Sequence, residues 1–582
     1  MHQGKEADEK RQDAATLLAC QKKISCGHFA AAIRVLSSSG LAPRNEYTYL
    51  ELLDKHPPAP MPTVSCDEAM VDPIIVDSRV VLRDIRIFPK GTSCGRDGLR
   101  AQHLVDAISG AAAAIADDLL VSITGVVNLW LAGRCPAVLG EFIASAPLTP
   151  LLKPGGGIRP IAVGTVWRRL VSKVAAVSVG KDMSTYLGDY QFGVGIPAGG
   201  ESILHAVNRL LEMNGHSEEM SMMLIDFSNA FNMVSRSQLI KEVRLHCPGI
   251  SRWVEFCYSR PAKLYYDHYI LSSALGVQQE VAKALSIIET EGPRRGLHLN
   301  VKKTEVFWPS TDPRSTADGV FPADIGRPSN GVKLLGGPMS LDLNFISDMM
   351  LSRVNKTVQL MSSIKKLKDP QSEMLLLRNC TGVSRLYFAM RTTNPAALQS
   401  ATALFDDHLL KYLRLLITGD GAGFGPLHQR LSTLPIKDGG LGIYTMADTS
   451  AYCYLASQCQ TTSVQKVILG NSFSTEKGSA YQFALQNFAQ VALIRVGYDC
   501  QEAKMPSLQE SKRYADWIYH GEGGGEQVLD EDVEMSDLLH EMNYDASNFY
   551  KLLNDAQMER KLIMMMFPLA RFLSAYFTHC DA

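Results

Sequence analysis

The stretch LIDFSNAFNMVS, from Leu224 to Ser235, joins an apolar run to one carboxylate and an immediate change of period. By pattern, a strand closes on Asp226 and a helix follows at once. A carboxylate at the C-terminal end of a strand is well placed to hold Mg²⁺ at a cleft. An Asp in that position can equally cap the next helix, so the motif alone leaves both roles open; Ser228 is a plausible cap for the same helix. Basic residues flank it in sequence: Arg159, just after the glycines of KPGGGIRPIAV, and Lys302–Lys303 in GLHLNVKKTEVFWP. Each is a solvated surface charge when taken singly.

The elements that must position these residues can be read on either side. Residues 1–60 have helical apolar spacing through AATLLACQKK and HFAAAIRVLSSS, and HPPAPMPTVS then breaks the pattern as a linker. A compact region starts near Ile75 with RVVLRDIRIF, which reads as a short strand. A Gly-rich turn and helices through Gly133 follow. SAPLTPLLKPGGGIRPIAV reads as two strands joined by a glycine loop at Pro154–Gly157. GESILHAVNRLLEM reads as a helix with Ile203, Val207, Leu210 and Leu211 on one face. After Pro309 a looser stretch leads to strand-like GVKLLGGP and then to helical patterns as far as about residue 460. HGEGGGEQVLDEDVEMSD reads as an acidic, disordered linker.

In this order the motifs resemble those of reverse transcriptases, most closely the non-LTR retrotransposon group. The resemblance covers roughly residues 75–450. GTSCGRDGLRAQHL looks like the motif that opens the fingers, KPGGGIRPI like the fingers hairpin, IDFSNAFN like the first palm motif, and LGVQQ like the start of the next palm motif. GVKLLGGP looks like the primer-grip hairpin. The resemblance implies an α+β, right-hand polymerase-like fold of fingers, palm and thumb, with helical N- and C-terminal regions. It implies that Asp226 is the metal-binding catalytic aspartate. Arg159, Phe231, Gln279 and Lys303 would be nucleotide-binding, with Phe231 excluding the ribose 2′-OH. Mg²⁺ would be the cofactor, RNA and a DNA primer-template the partners, and RNA-directed DNA polymerisation the ancestral activity.

One block of the pattern is absent. In the family, the match to LGVQQ runs on into a helix and a strand hairpin carrying Tyr-x-Asp-Asp. Here Gln279 is followed by Glu280 and Val281, and AKALSIIETEGPRRG already looks like the helix beyond that hairpin. A helix and two strands need about 25–35 residues, and the chain has no room for them at 279–281. Two Mg²⁺ ions about 3.5–4 Å apart need several carboxylates, and Asp226 alone cannot fix them. Asp117–Asp118 and Asp406–Asp407 fall in helical patterns and read as exposed helix carboxylates. Asp267 is a lone acid, and the single Asp516 after Tyr514 does not restore the pair. The expectation is an incomplete palm sheet and a pseudoenzyme that does not polymerise as written and binds no productive metal. Two alternatives stay open: an active enzyme whose sequence lost an exon at Gln279, or a non-catalytic RNA-binding or scaffold protein. The last would keep a basic wall of Arg96, Arg159, Arg168, Arg169, Lys302 and Lys303.

Bulk properties bound the reading. The 582 residues allow several domains, expected at 1–60, 75–310, 311–460 and 461–582; the role of the last stays open. A hydrophobic content of 46% with 20% charged residues is that of a folded protein. The net charge of -2 weakly opposes a nucleic-acid partner but allows a local basic groove. The 12 cysteines form no CxxC pair, and Cys20, Cys26 and His28 match no common zinc spacing. With a polar, charged start and no spanning apolar run, the expected place is intracellular, nuclear or cytoplasmic, without a membrane partner. No RNase H or endonuclease pattern accompanies these motifs.

Overall fold

The computed structural model describes residues 2–496, apart from 63–71, 90, 110–112, 154–155, 189–190, 194–195, 218–219, 229, 274–297, 311–323, 420, 422, 437–438 and 475. Gln279, the 279–281 junction, Tyr514, Asp516 and the acidic segment at 520–537 lie outside the described residues. The fold is mixed α and β and mostly helical. It divides into two compact units, each built from separate stretches of chain.

The first unit comprises residues 25–197 and 221–329. Its largest sheet has four strands: β1 (Ala146–Leu152), β2 (Ile158–Ala162), β5 (Ala262–Tyr266) and β6 (Tyr269–Ser273), in the order β2-β1-β5-β6. The expected hairpin forms, with β1 antiparallel to β2 and Leu151 opposite Arg159. Gly156 and Gly157 close it at φ of 98° and 77°, angles that glycine adopts without a steric penalty. The helix Glu46–Asp54 anchors the hairpin, because Glu51 Oε1 accepts a hydrogen bond of 2.7 Å from the Ile158 N–H. Against this layer lies a helical core in which Trp130 stacks on Trp253 at 5.9 Å, amid Val127, Leu131, Leu170, Val171 and Val174.

Two smaller ladders complete the unit. Strand β3 (Met222–Leu224) pairs antiparallel with β8 (Glu305–Phe307), and β4 (Phe227–Ser228) with β7 (His298–Leu299). Among the described residues β3 has this single strand neighbour.

Three local expectations are corrected here. RVVLRDIRIF is not a strand. The helix Ser78–Arg86 runs through it, started by Asp77 Oδ1, which accepts from the Arg79 and Val80 N–H groups. Val81 and Ile85 are buried at an i, i+4 spacing, so an N-cap and a helical stripe overrode β-branched propensity. Ser228 lies in β4 rather than capping a helix. The helical pattern after it breaks into Ala230–Met233 and Arg236–His246, and Ser235 caps the second piece by accepting from the Gln238 N–H.

The second unit joins the first helix up to Ile24 with residues 198–220 and 330 onward. Its strands β9 (Val332–Leu334) and β10 (Gly337–Met339) form the hairpin expected of GVKLLGGP. That hairpin packs flush on the helix Gly199–Asn214: a Cβ on Gly337 would come within 2.8 Å of Leu204. The third correction concerns this helix. Its buried side is Ser202, Leu204, His205, Ala206 and Leu211, while Ile203, Val207 and Leu210 are only half-buried. The polar His205 points inward because Ser457 and Gln458 bond its ring there, and Ser202 satisfies its hydroxyl on the Ala198 carbonyl of its own helix. The long helices Leu343–Ile364, Gln399–Thr418 and Met446–Leu469 pack around Met350, Phe405, Leu409 and Met446.

Candidate functional site

Asp226 sits where two ladders meet. β3–β8 holds register up to Leu224 opposite Glu305, and β4–β7 resumes it with Phe227 opposite Leu299. Between them, Ile225–Asp226 faces the longer segment Asn300–Thr304. The surplus residues coil into a 3₁₀ turn at Val301–Lys303. This bulge aims side chains of one strand at the carboxylate of the other.

The turn holds Asp226 from both main chain and side chain. The Asn300 N–H donates to the Asp226 carbonyl at 2.8 Å, and Asn300 Nδ2 donates to Asp226 Oδ2 at 3.3 Å. The Asp226 N–H donates to Thr304 Oγ1 at 3.4 Å, and that hydroxyl donates to the Asn300 carbonyl at 3.0 Å. Lys303 Nζ lies 3.8 Å from Asp226 Oδ2. Thr304 is fully buried, whereas the Asp226 and Lys303 side chains are 48% and 71% exposed. The fixed part of the site is therefore the turn, and the Asp226 carboxylate and Lys303 ammonium project from it toward solvent.

The structure thus brings together Asp226 and Lys303 of the expected site residues. Arg159 is exposed on β2, in the four-stranded sheet. Phe231 falls in the helix Ala230–Met233. Asn300 and Thr304 were not singled out by sequence reasoning. The signal that could have found them is an Asn four residues before a Thr, flanking two lysines, a pattern suited to a side-chain-stabilised turn.

Mg²⁺ prefers a shell of oxygen ligands. The groups aimed at Asp226 Oδ2 are an amide N–H and an ammonium, which compete with a cation rather than help to bind one. No group of three His, Cys, Asp or Glu among the described residues is arranged to hold a metal. The described residues around Asp226 do not fit a two-metal centre. Asp267 occupies the β5–β6 turn at φ 52°, next to Arg44 and His268.

Of the cations expected to form one wall, three are used within the fold. The Arg96 guanidinium lies 3.7 Å from the centre of the Tyr265 ring. Arg168 donates to the Ala144 carbonyl and Arg169 to the Ser93 carbonyl, each at 2.6 Å. Arg159, Lys302 and Lys303 are exposed. Asp117 and Asp118 are exposed as expected. Asp406 is not: it is half-buried and accepts from the Met446 and Ala447 N–H groups at 2.6 and 2.9 Å.

Among the described residues no helix is long and apolar enough to cross a membrane. No protein-family model matches the chain. Over 181 residues it is 28% identical to the retrotransposable element SLACS 132 kDa protein of Trypanosoma brucei gambiense; the match covers 31% of this chain and 14% of that protein. This similarity points to a retroelement origin for the chain.

Proposed function

We propose that this chain is a retroelement-derived protein of the reverse-transcriptase type, with a polymerase-like architecture, that does not carry out nucleotidyl transfer as written. The observation that carries the reading is the setting of Asp226. It stands between β3 and β4 beside Lys303, the two residues that the family's palm motifs would supply, yet the described groups at its Oδ2 are hydrogen-bond donors instead of further carboxylates. Two-metal transfer requires ligands for both ions. What remains is a lone acid beside exposed cations, a surface suited to contacting a nucleic-acid backbone without cleaving or extending it.

The test is primer extension by the purified full chain on an RNA template, with Mg²⁺ or Mn²⁺. No incorporation above a protein-free control is expected, and template-dependent incorporation lost in Asp226→Asn would overturn the proposal. A second reading follows from the sharp junction at Gln279–Val281: an in-frame block was dropped from an active enzyme. Sequencing the transcript across that junction decides it. A messenger encoding an additional Asp-Asp hairpin would make the longer protein the polymerase.

A further inference from the structure

The second unit contains a cavity of about 320 Å³, walled by the helices Gly199–Asn214 and Met446–Leu469, the end of the β9–β10 hairpin and the turn into the helix Ser479–Val496. That volume is within the range of small-molecule sites. Its wall is unusually polar for a buried surface: His205, Tyr454, Gln465 and Tyr481 line it and are each at least nine-tenths buried.

Two of the charges on the wall, Arg209 and Glu212, already have partners. Arg209 Nη1 donates to Glu212 Oε2 at 2.7 Å, and Nη2 to the Glu476 carbonyl at 3.0 Å. Glu212 Oε1 accepts from the Ser479 N–H at 2.7 Å. Lys477 lies over the Tyr481 ring, 5.2 Å from its centre. A phosphate or carboxylate entering the cavity would have to break these pairs, so the site favours a neutral ligand.

The neutral groups have a specific character. Gln458 Nε2 donates to His205 Nδ1 and Tyr454 Oη, which fixes that amide. Gln465 uses only its Nε2, toward Thr461 Oγ1 and Gln458 Oε1, leaving its carbonyl oxygen to accept. Asn394 uses Oδ1 to cap Ala396, leaving its amide hydrogens to donate. Tyr454, Tyr481 and Phe473 add aromatic rings, with Lys477 over the Tyr481 ring and Lys466 over the Phe473 ring. Carboxamides that present donors and acceptors between aromatic rings match the edge and face of a planar nitrogen heterocycle.

We infer that this cavity is a binding site for a neutral nucleobase or nucleoside. The inference does not depend on polymerase ancestry, and Asp226 takes no part in it. The test is calorimetric titration of the full chain with each of the four ribonucleosides, and with inorganic phosphate as a charged control. At least one nucleoside is expected to bind saturably, with phosphate silent. Asn208→Leu, a half-buried wall residue with no side-chain bond to lose, and Gln465→Met should each weaken binding roughly tenfold, the discrimination carried by one amide–base pair. Asp226→Asn should leave it unchanged. Absence of saturable heat up to about 1 mM nucleoside, the weak end of the affinity scale, would overturn the inference. Binding that both wall variants leave intact, or that phosphate reproduces, would do the same.

Discussion

Lys303 Nζ lies 3.8 Å from Asp226 Oδ2, across a turn that Asn300 and Thr304 fasten to the Asp226 main chain. The two residues lie far apart in sequence, and the mismatch between the β3–β8 and β4–β7 ladders brings them together. Both side chains are largely in solvent, so the pair contributes less than about 1 kcal/mol to stability. The ammonium occupies one side of the Asp226 carboxylate, where a metal ion would otherwise approach.

The first prediction separates the two residues by function. Lys303→Ala should leave the melting temperature nearly unchanged but weaken RNA binding, and reduce the slope of log affinity against log salt by about one. Asp226→Asn should not weaken binding, because it removes a negative charge from the same surface. Fluorescence anisotropy across a salt series reads both. Equal salt slopes for wild type and Lys303→Ala would remove Lys303 from the nucleic-acid surface.

A second prediction concerns Asp406, whose carboxylate caps the helix Met446–Leu469 across the core. Burial pushes its pKa up to about 6, outweighing the N–H bonds from Ala447 and Met446 that pull it down; nearby Asp448 adds to the rise. The folded value exceeds the unfolded one, so the folded state binds more protons between about pH 4 and 6. Stability therefore falls as pH rises through that window, by on the order of 3 kcal/mol from this group. Urea denaturation of Asp406→Asn from pH 4 to 7 should lack this component, and a wild-type-minus-variant difference that is flat with pH would refute it.

His205 predicts the opposite slope. Burial drives its imidazole down to about 4, against the pull of Glu201. Nε2 bonds Ser457 Oγ at 2.8 Å, and Nδ1 bonds Gln458. Here the unfolded state binds more protons between about pH 4 and 6.5. The stabilisation is complete above 6.5 and lost as pH falls toward 4, with a magnitude of about 3 kcal/mol. His205→Gln should flatten that component in the same denaturation series. Comparison with Asp406→Asn then isolates two terms of opposite sign in one unit.

The buried pair Arg391–Glu201 gives a fourth prediction. Arg391 donates from Nε and Nη2 to the Glu201 carboxylate at 2.6–2.9 Å, from Nη2 also to Gln460, and from Nη1 to Tyr387 Oη. Removing one partner strands a buried charge. Arg391→Ala should therefore cost about 3–5 kcal/mol. The double variant Glu201→Leu with Arg391→Met should cost clearly less than the sum of the single changes, as a double-mutant cycle by urea denaturation would show.

How much of this was legible in the sequence depended on the range of the interactions. The β1–β2 hairpin could be read because Gly156 and Gly157 lie between two apolar runs, and the β9–β10 hairpin because Gly336–Gly337 interrupts another. The helix Ser78–Arg86 was misread: its cap, Asp77, was overlooked in favour of four β-branched residues. The roles of Asp406 and His205 were hidden for a different reason. Their partners lie 40 and more than 250 positions away, and no local period reports such a pairing. At the candidate site, the motifs pointed to Asp226 and Lys303, which lie 3.8 Å apart. Asn300 and Thr304 were missed because their work is done through backbone groups of a turn that exists only once two ladders fall out of step.

That same hairpin reading leads to the last prediction. The β9–β10 loop consists of Leu335 and Gly336, both at positive φ, 47° and 89°. A two-residue loop with both angles positive is the turn whose twist matches a hairpin, and it favours Asn-Gly. Leucine in that conformation suffers a clash of its Cβ with the next carbonyl worth roughly 1–2 kcal/mol, and here the side chain is 54% exposed, so little burial offsets the strain. Leu335→Asn should therefore stabilise the fold by about 1 kcal/mol, seen as a higher denaturation midpoint with an unchanged urea m-value. A fall in the midpoint would mean that the Leu335 side chain contributes more through its contacts than the turn loses through strain.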